Sequence, residues 1–443
     1  MEKRDVVIIG GGPAGRLIVH TMKASGRNMS VTLIKDEEIN ANRCAIPYGI
    51  PDKKPVDKFR ISNKLVTDFG AELVVDRVEK IDTIANEVHT KSGRIYGYSY
   101  LVLATGSRPL VPPIPGVDAE TITSVRSITD LSRLRQLTSK AKRAVVVGGG
   151  YIGIEIAVVL KQMGIDVTVV EMLPKILMAT TEPEFINSVE DILAENDLRI
   201  LTNERVVEFD HQSDGSVAVK LGSGNALAVD FVVLSAGVAP NIEVAAQGGI
   251  DTTRLGICAD QYMRTNVENI YTCGDCAEKH SFVTGQPTRG EFGTNAVFMA
   301  KVAAQNILGN KTKFPGVINA NVTSIYAWSL GSAGMTEQMA RDAGINVVTG
   351  FSEVNDKYPM MDNVNSVRTK LVFNRDDKKL IGGSVMRKEN CTAQNVDFIS
   401  FAIQMGATME NIENYQYATH PELAAKPSDN AYNFATMDAM SKL

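Results

Sequence analysis

One short pattern occurs twice in this chain and dictates much of its architecture. Val6-Val7-Ile8-Ile9 runs into Gly10-Gly11-Gly12-Pro13-Ala14-Gly15, and Ala144-Val145-Val146-Val147 runs into Gly148-Gly149-Gly150-Tyr151-Ile152-Gly153. Each loop is followed by an apolar helical stretch and then a second short strand, Val31-Thr32-Leu33-Ile34 or Val167-Thr168-Val169-Val170. Apolar runs bounded by glycine and followed by helical spacing read as buried parallel strands in βαβ units. A single G-x-G-x-x-G is weak evidence. Two copies, each between a strand and a helix, predict two dinucleotide-binding domains. The glycines let the backbone approach a pyrophosphate, and the helix start offers free N–H groups and a positive dipole end.

The 443 residues predict two to four domains. Pro109, Pro112, Pro113 and Pro115 with Gly116 break the chain between the two copies and read as a linker. After about residue 313 the dinucleotide signatures stop. There Lys370-Leu371-Val372-Phe373 and Leu380-Ile381-Gly382-Gly383 flank a polar turn over Asn374-Arg375-Asp376-Asp377, a hairpin in a separate α+β domain. A net charge of −5 leaves no basic footprint for nucleic acid or an anionic membrane. The odd number of scattered cysteines, at 44, 258, 273, 276 and 391, disfavours a secreted disulfide framework and points to a reducing cytoplasm. No run reaches the roughly 18 apolar residues of a membrane helix. Met1-Glu2-Lys3-Arg4 resembles a signal n-region only superficially, because the apolar run behind it leads straight into the first glycine loop.

The loops, together with Ala104-Thr105-Gly106-Ser107-Arg108-Pro109 and Thr272-Cys273-Gly274-Asp275-Cys276-Ala277-Glu278, resemble the pyridine nucleotide-disulfide oxidoreductase family over nearly the whole chain. Cys44, in Arg43-Cys44-Ala45-Ile46-Pro47-Tyr48, has no second cysteine nearby. Two-cysteine reductases carry one five positions on, where this chain has Gly49. The pattern is similar to the single-cysteine branch of coenzyme A-disulfide reductases, NADH oxidases and NADH peroxidases. The resemblance implies an α/β fold with two Rossmann-like domains and a C-terminal α+β dimerisation domain. It places FAD on residues 1–112 and 246–312, NAD(H) on 113–245, and the homodimer contact on 313–443. It implies cofactor contacts by Gly10, Gly12, Pro13, Ala14, Gly15, Ala104, Thr105, Gly106, Gly274, Asp275 and Ala296 for FAD, by Gly148, Gly150, Tyr151, Ile152 and Gly153 for the nicotinamide nucleotide, and by Gly237 for a bound cofactor. Tyr151 is expected to cover the flavin face, and Glu155 to meet the nicotinamide carboxamide.

Some roles follow from the residues themselves. Glu171 ends the second strand of the second copy, 23 positions after Gly148. An acid there accepts from a ribose 2′-OH and repels a 2′-phosphate, so NADH is preferred over NADPH. The first copy ends its strand in Lys35, where an acid is usual, with Asp36 next. Either Asp36 takes the ribose with a one-residue shift, or Lys35 meets the nucleotide differently. Cys273 and Cys276 form a C-x-x-C that overlaps the FAD-binding Gly274-Asp275 and is read as structural, as are Cys258 and Cys391. No His/Cys cluster has metal spacing, and no metal site is expected.

Cys44 is expected near a helix start, where free N–H groups, the dipole, Arg43 and a neighbouring flavin stabilise a thiolate. A single sulfur can attack a low-molecular-weight disulfide, take sulfane sulfur from a persulfide or polysulfide, or cycle through sulfenic acid with peroxide or oxygen. The peroxidase branch carries a histidine in its first glycine loop, and this chain has none. Tyr358 and Tyr417 match positions where coenzyme A-disulfide reductases bring tyrosines from the second subunit toward the cysteine. His420-Pro421 is similar to the two-cysteine reductases, so His420 is a candidate acid for the leaving thiolate. For coenzyme A phosphates the candidates are Lys23, Arg27 and Arg43, although the arginine pair that relatives carry on the first helix is missing. No rhodanese-like extension is expected. The reading is a flavoenzyme passing hydride from NADH through FAD to Cys44, which reduces a small disulfide, persulfide or polysulfide. The alternatives are an NADH oxidase and a flavoprotein redox sensor.

Overall fold

The computed structural model describes residues 2–388 and 392–443, which form two units. The first comprises Met1–Pro112, Thr123–Lys140 and Ala236–Val317. Its central strands Glu72–Val75, Val31–Lys35, Glu2–Ile9 and Ile95–Leu103 lie parallel in that order, and Ile270–Thr272 pairs with the last. Val6, Val7, Ile8, Leu33 and Ile34 are fully buried. A parallel sheet covered on both faces explains why these strands read as unbroken apolar runs. Each such side chain stabilises the core by roughly 1.5–3 kcal/mol. Helices Pro13–Ala24 and Gly293–Ile307 cover one face through Ile18, Val19, Met22, Met299 and Ala303.

The segment 113–245, read from the sequence as one domain, is divided. Thr123–Lys140 packs in the first unit. It carries the helix Ile128–Thr138, opened by a capping box between Ser127 and Asp130, and Leu131 and Leu134 on its apolar face are fully buried. Ala236 onward also belongs to the first unit, because Val238–Pro240 pairs with the otherwise unpaired strand Ser107–Pro109.

The second unit comprises Pro113–Ile122, Ala141–Ser235 and Ile318–Leu443. Phe231–Leu234, Arg143–Val147, Asp166–Val170 and Arg199–Leu201 run parallel, the second copy of the nucleotide fold. Downstream, a five-stranded antiparallel sheet orders Asn321–Ile325, Trp328–Gly334, Leu380–Lys388, Ser366–Asn374 and Val347–Asn355. The hairpin expected around 374–377 is present, with a register shift at Val372/Phe373. Helices Thr392–Gln404 and Ala431–Met440 complete this α+β part. Among the described residues no helix is long and apolar enough to cross a membrane.

Candidate active site

The first glycine loop is shaped by close approach. Gly10 has φ +116°, and a Cβ on it would stand 2.0 Å from the Ala104 carbonyl oxygen; one on Gly15 would stand 2.0 Å from that of Gly10. A Cβ on Gly12 would meet nothing within 4 Å, so this middle glycine faces open space. Pro13 begins the helix, and no side chain caps it. Ala104-Thr105-Gly106 is held beside the loop: the Thr105 hydroxyl donates to the Asn241 carbonyl (2.6 Å) and the Asn241 amide donates to that of Thr105 (2.9 Å). Ser107 donates to the Asp275 carboxylate at 2.8 Å. A Cβ on Gly274 would lie 3.3 Å from that of Ala14 and 3.6 Å from that of Ala296, so the loop helix, Gly274-Asp275 and the helix Gly293–Ile307 meet at one point. Gly237 has φ +100°, and its carbonyl accepts from the Leu110 N–H at 2.9 Å.

Two arginines face Gly106, whose Cβ would lie 3.7 Å from Arg126 Nη2 and 3.8 Å from Arg43 Nη1. Arg126 was not singled out in the sequence, although it directly precedes the Ser127 cap. Its Nη2 is buried without a hydrogen-bond partner. Burial, with Arg43 beside it, brings the group down to about 10, which leaves it cationic at neutral pH. Burial and Arg43 also lower Arg16, whose Nε donates to Gly12 O. An orphaned cationic donor beside Gly106, in the unit that also carries an uncapped helix start at Pro13, fits the diphosphate of a dinucleotide, because a buried unpaired donor costs roughly 1–3 kcal/mol. The residues present therefore fit FAD.

The second loop repeats the geometry. A Cβ on Gly153 would stand 2.0 Å from Gly148 O, while one on Gly150 would meet nothing within 4 Å. Glu171 accepts from the Gly149 N–H at 2.6 Å and the Leu173 N–H at 2.7 Å, which orients its carboxylate beside the loop. Ile152 is exposed, and the Tyr151 hydroxyl bonds to Thr181 Oγ1 at 3.2 Å. Thr323 donates to Glu155 at 2.7 Å.

The first copy inverts the charge at the seat of Glu171. Gly10 donates to Ile34 O as Gly148 does to Val170 O, so Lys35 is the structural counterpart of Glu171. Lys35 lies against Gly11, buried, and its ammonium donates to Glu38 O (3.1 Å), Asn40 Oδ1 (2.7 Å) and Asn63 Oδ1 (2.7 Å). Burial, with Arg16 nearby, pulls it below the ordinary lysine value. Asp36 is exposed. The strand-end seat is thus filled by Lys35 without a one-residue shift.

Cys44 is exposed. The structure corrects the helix expected there: Arg43–Ala45 and Pro47–Gly49 are two successive 3₁₀ turns of three residues each. Pieces this short align few peptide dipoles, so support for a thiolate falls to side chains. Arg43 is shared with Glu37 at 3.1 Å. Of the coenzyme A phosphate candidates, Lys23 is bound to Met29 O at 2.8 Å and Arg27 is exposed. Cys273 and Cys276 are fully buried, and burial pushes the Cys273 thiol well up, as in an inert structural cysteine. Burial also raises Cys258, whereas Cys391 lies outside the described residues.

In the second unit the Tyr358 N–H donates to Pro421 O at 3.0 Å, which brings Tyr358 to the segment holding Tyr417 and His420. The Tyr417 hydroxyl donates to Pro427 O at 2.6 Å. His420 is exposed, and its Nδ1 accepts from the Glu422 N–H at 3.3 Å, which leaves Nε2 as the outward nitrogen carrying the proton in the neutral ring.

Two nucleotide folds and an α+β domain define an oxidoreductase working with FAD and NAD(P)H. The chain belongs to the pyridine nucleotide-disulphide oxidoreductase family: residues 4–300 match that family's model and residues 322–431 match its dimerisation domain. It is similar to an NADH oxidase of Methanocaldococcus jannaschii, 31% identical over 99% of both chains. It is also similar to an NAD(P)H coenzyme A polysulfide/persulfide reductase of Pyrococcus horikoshii, 30% identical over 87% of each. Among solved structures, an NAD-dependent persulfide reductase from A. fulgidus superposes with a TM-score of 0.92 at 30% identity, covering 99% of this chain and 83% of that one.

Proposed function

We propose that the protein is a cytoplasmic, homodimeric NADH:persulfide or disulfide oxidoreductase that works through Cys44 alone. The observation carrying this reading is an exposed thiol in the FAD-fitting unit with glycine at the position of a second cysteine. The persulfide and polysulfide reductases among its relatives support the acceptor class.

Gly12, Ala14, Gly15, Arg126 and Asp275 would hold FAD, which when bound accepts hydride from the nicotinamide and supplies two electrons near Cys44. Gly150, Gly153 and Glu171 would hold NADH. The Cys44 thiolate attacks the outer sulfur of a persulfide R–S–SH, forming Cys44–S–SH and releasing RS⁻. The leaving thiolate takes a proton from the imidazolium form of His420, which returns to the neutral ring, with the Tyr358 hydroxyl as a further donor; these residues, with Tyr417, are contributed by the second protomer. Two-electron reduction then returns the Cys44 thiolate and releases HS⁻. The balance is RSSH + NADH + H⁺ → RSH + H₂S + NAD⁺. A disulfide RSSR follows the same course and yields two RSH.

An anaerobic acceptor panel tests this: coenzyme A persulfide, coenzyme A disulfide, polysulfide, glutathione disulfide and peroxide, each with NADH. Turnover with a sulfur acceptor is expected, and turnover with none of them ends the reading. The M. jannaschii relative favours oxygen as the second acceptor to assay.

The paired backbone donors on Glu171 predict a clear nucleotide preference. Glu171→Ala is expected to raise KM for NADH by roughly 10- to 100-fold, the worth of hydrogen bonds to a charged group. The change for NADPH should be much smaller, because its 2′-phosphate loses a repulsive neighbour. Equal KM changes for both nucleotides would remove Glu171 from ribose recognition.

A further inference from the structure

The turn carrying Cys44 is gripped from a helix more than eighty residues downstream. Arg135, on the helix Ile128–Thr138, has a side chain only 11% exposed. Its Nε donates to Gly49 O at 2.8 Å and its Nη2 to Lys54 O at 2.6 Å, while Nη1 pairs with Asp52. The guanidinium stands 5.9 Å from the centre of the Phe59 ring. Phe59 holds the other side of the turn, its carbonyl accepting from the Asn42 N–H at 2.8 Å. The strands Asn40–Ala41 and Arg60–Ile61 pair across the base of the loop.

Gly49 lies inside this grip. A Cβ there would stand 2.9 Å from Phe59 Cζ and 3.1 Å from Leu131 Cδ1. Phe59 is 6% exposed and Leu131 0%, so neither can yield cheaply. A side chain at 49 is excluded by packing.

We infer that Arg135 is a positioning residue for Cys44: with Leu131 and Phe59 it fixes the two 3₁₀ turns so that one sulfur is presented and the place of a second is closed. This rests on the reading of Cys44 as the reacting sulfur. The geometry supports it because a planar guanidinium satisfies three acceptors of one loop at once, which a flexible ammonium cannot reproduce. Free 3₁₀ turns are weakly held, and a reacting group displaced by about 1 Å can lose about a hundredfold in rate.

The test uses the full-length, FAD-loaded protein and the variants R135M, R135K and G49C. Alkylation of Cys44 by iodoacetamide is followed against pH by peptide mass spectrometry. Flavin reduction by NADH is followed anaerobically, and sulfur-acceptor turnover is measured separately. R135M should lower acceptor kcat by roughly 10- to 100-fold and displace the alkylation profile while leaving flavin reduction unchanged. R135K should recover only part of the loss. An R135M protein that keeps FAD and shows an unaltered Cys44 profile and unaltered kcat overturns the inference. Should R135M fail to fold, the same unaltered readouts in R135K overturn it. On oxidation, G49C should form no disulfide between Cys44 and the introduced thiol, and formation of that bond refutes the closure of position 49. Alkylation reads the sulfur directly, so a chain that reduces none of the sulfur acceptors but responds in alkylation separates failure of the acceptor assignment from failure of this one.

Discussion

Cys44→Ser is expected to lose sulfur-acceptor turnover by roughly three orders of magnitude or more, the scale seen when a nucleophile is removed from a covalent mechanism. The hydroxyl is almost wholly protonated at neutral pH, and its oxygen forms no bond equivalent to the mixed disulfide or persulfide. The hydride half of the reaction should survive. Glu171 is oriented by the Gly149 and Leu173 N–H groups, and the first loop is shaped by the close approach of Gly10, Gly15 and Ala104, holds that do not use the sulfur. Stopped-flow bleaching of the flavin by NADH should therefore match the parent enzyme while sulfide release stops. Oxygen supplies the sharpest branch. If Cys44 cycles through a sulfenic acid, the parent makes water, 2 NADH + 2 H⁺ + O₂ → 2 NAD⁺ + 2 H₂O, and the variant makes peroxide, NADH + H⁺ + O₂ → NAD⁺ + H₂O₂. If Cys44 serves only sulfur acceptors, both proteins give peroxide. A variant that still releases sulfide from a persulfide at the parental rate rules out Cys44 as nucleophile.

What could be read from the sequence followed how local its cause was. The glycine loops were legible because their constraint spans a few residues: Gly15 must be bare since Gly10 O lies where its Cβ would be, and Gly153 repeats this against Gly148. Glu171 was legible from spacing, since strand and helix lengths fix where the second strand ends. Lys35 was half legible. Its place at the strand end could be read, but not its inward turn, which depends on Asn63 from a distant loop. Arg126 and Arg135 were hidden because the segment 123–140 returns to the first unit, a tertiary choice made by the buried face of Leu131 and Leu134. The helix expected at Cys44 failed for a local reason, since Pro47 has no N–H to continue the first turn and the run divides into two short turns at that point.

Lys370→Met is expected to destabilise the fold severely. The ammonium lies on the strand Ser366–Asn374 and is 4% exposed, 3.1 Å from Glu182, 2.9 Å from Glu184 and 3.0 Å from Glu337. Glu182 is 1% exposed and also accepts from the Glu337 N–H at 2.7 Å, so one lysine balances a carboxylate that ties two helix starts together. Methionine fills the volume but strands Glu182, and breaking a buried pair from one side costs about 3–5 kcal/mol. The pH dependence fixes the cause. Burial raises Glu182 above the ordinary carboxyl value despite Lys370. A carboxyl raised on folding is destabilising once ionised, so the deficit of K370M should shrink as pH falls through the folded value of Glu182. Lys370 is itself raised: burial opposes its charge, but Glu182, Glu184 and Glu337 outweigh that. Its contribution is complete below the ordinary 10.5 and is lost as pH climbs through the higher folded value, so the gap should also close at strongly alkaline pH. Glu182→Gln should rescue K370M, because a neutral amide needs no counter-ion, and a double-mutant cycle from denaturant unfolding gives the coupling. A deficit that is flat with pH and untouched by Glu182→Gln would mean that lost packing, not the stranded charge, sets the cost.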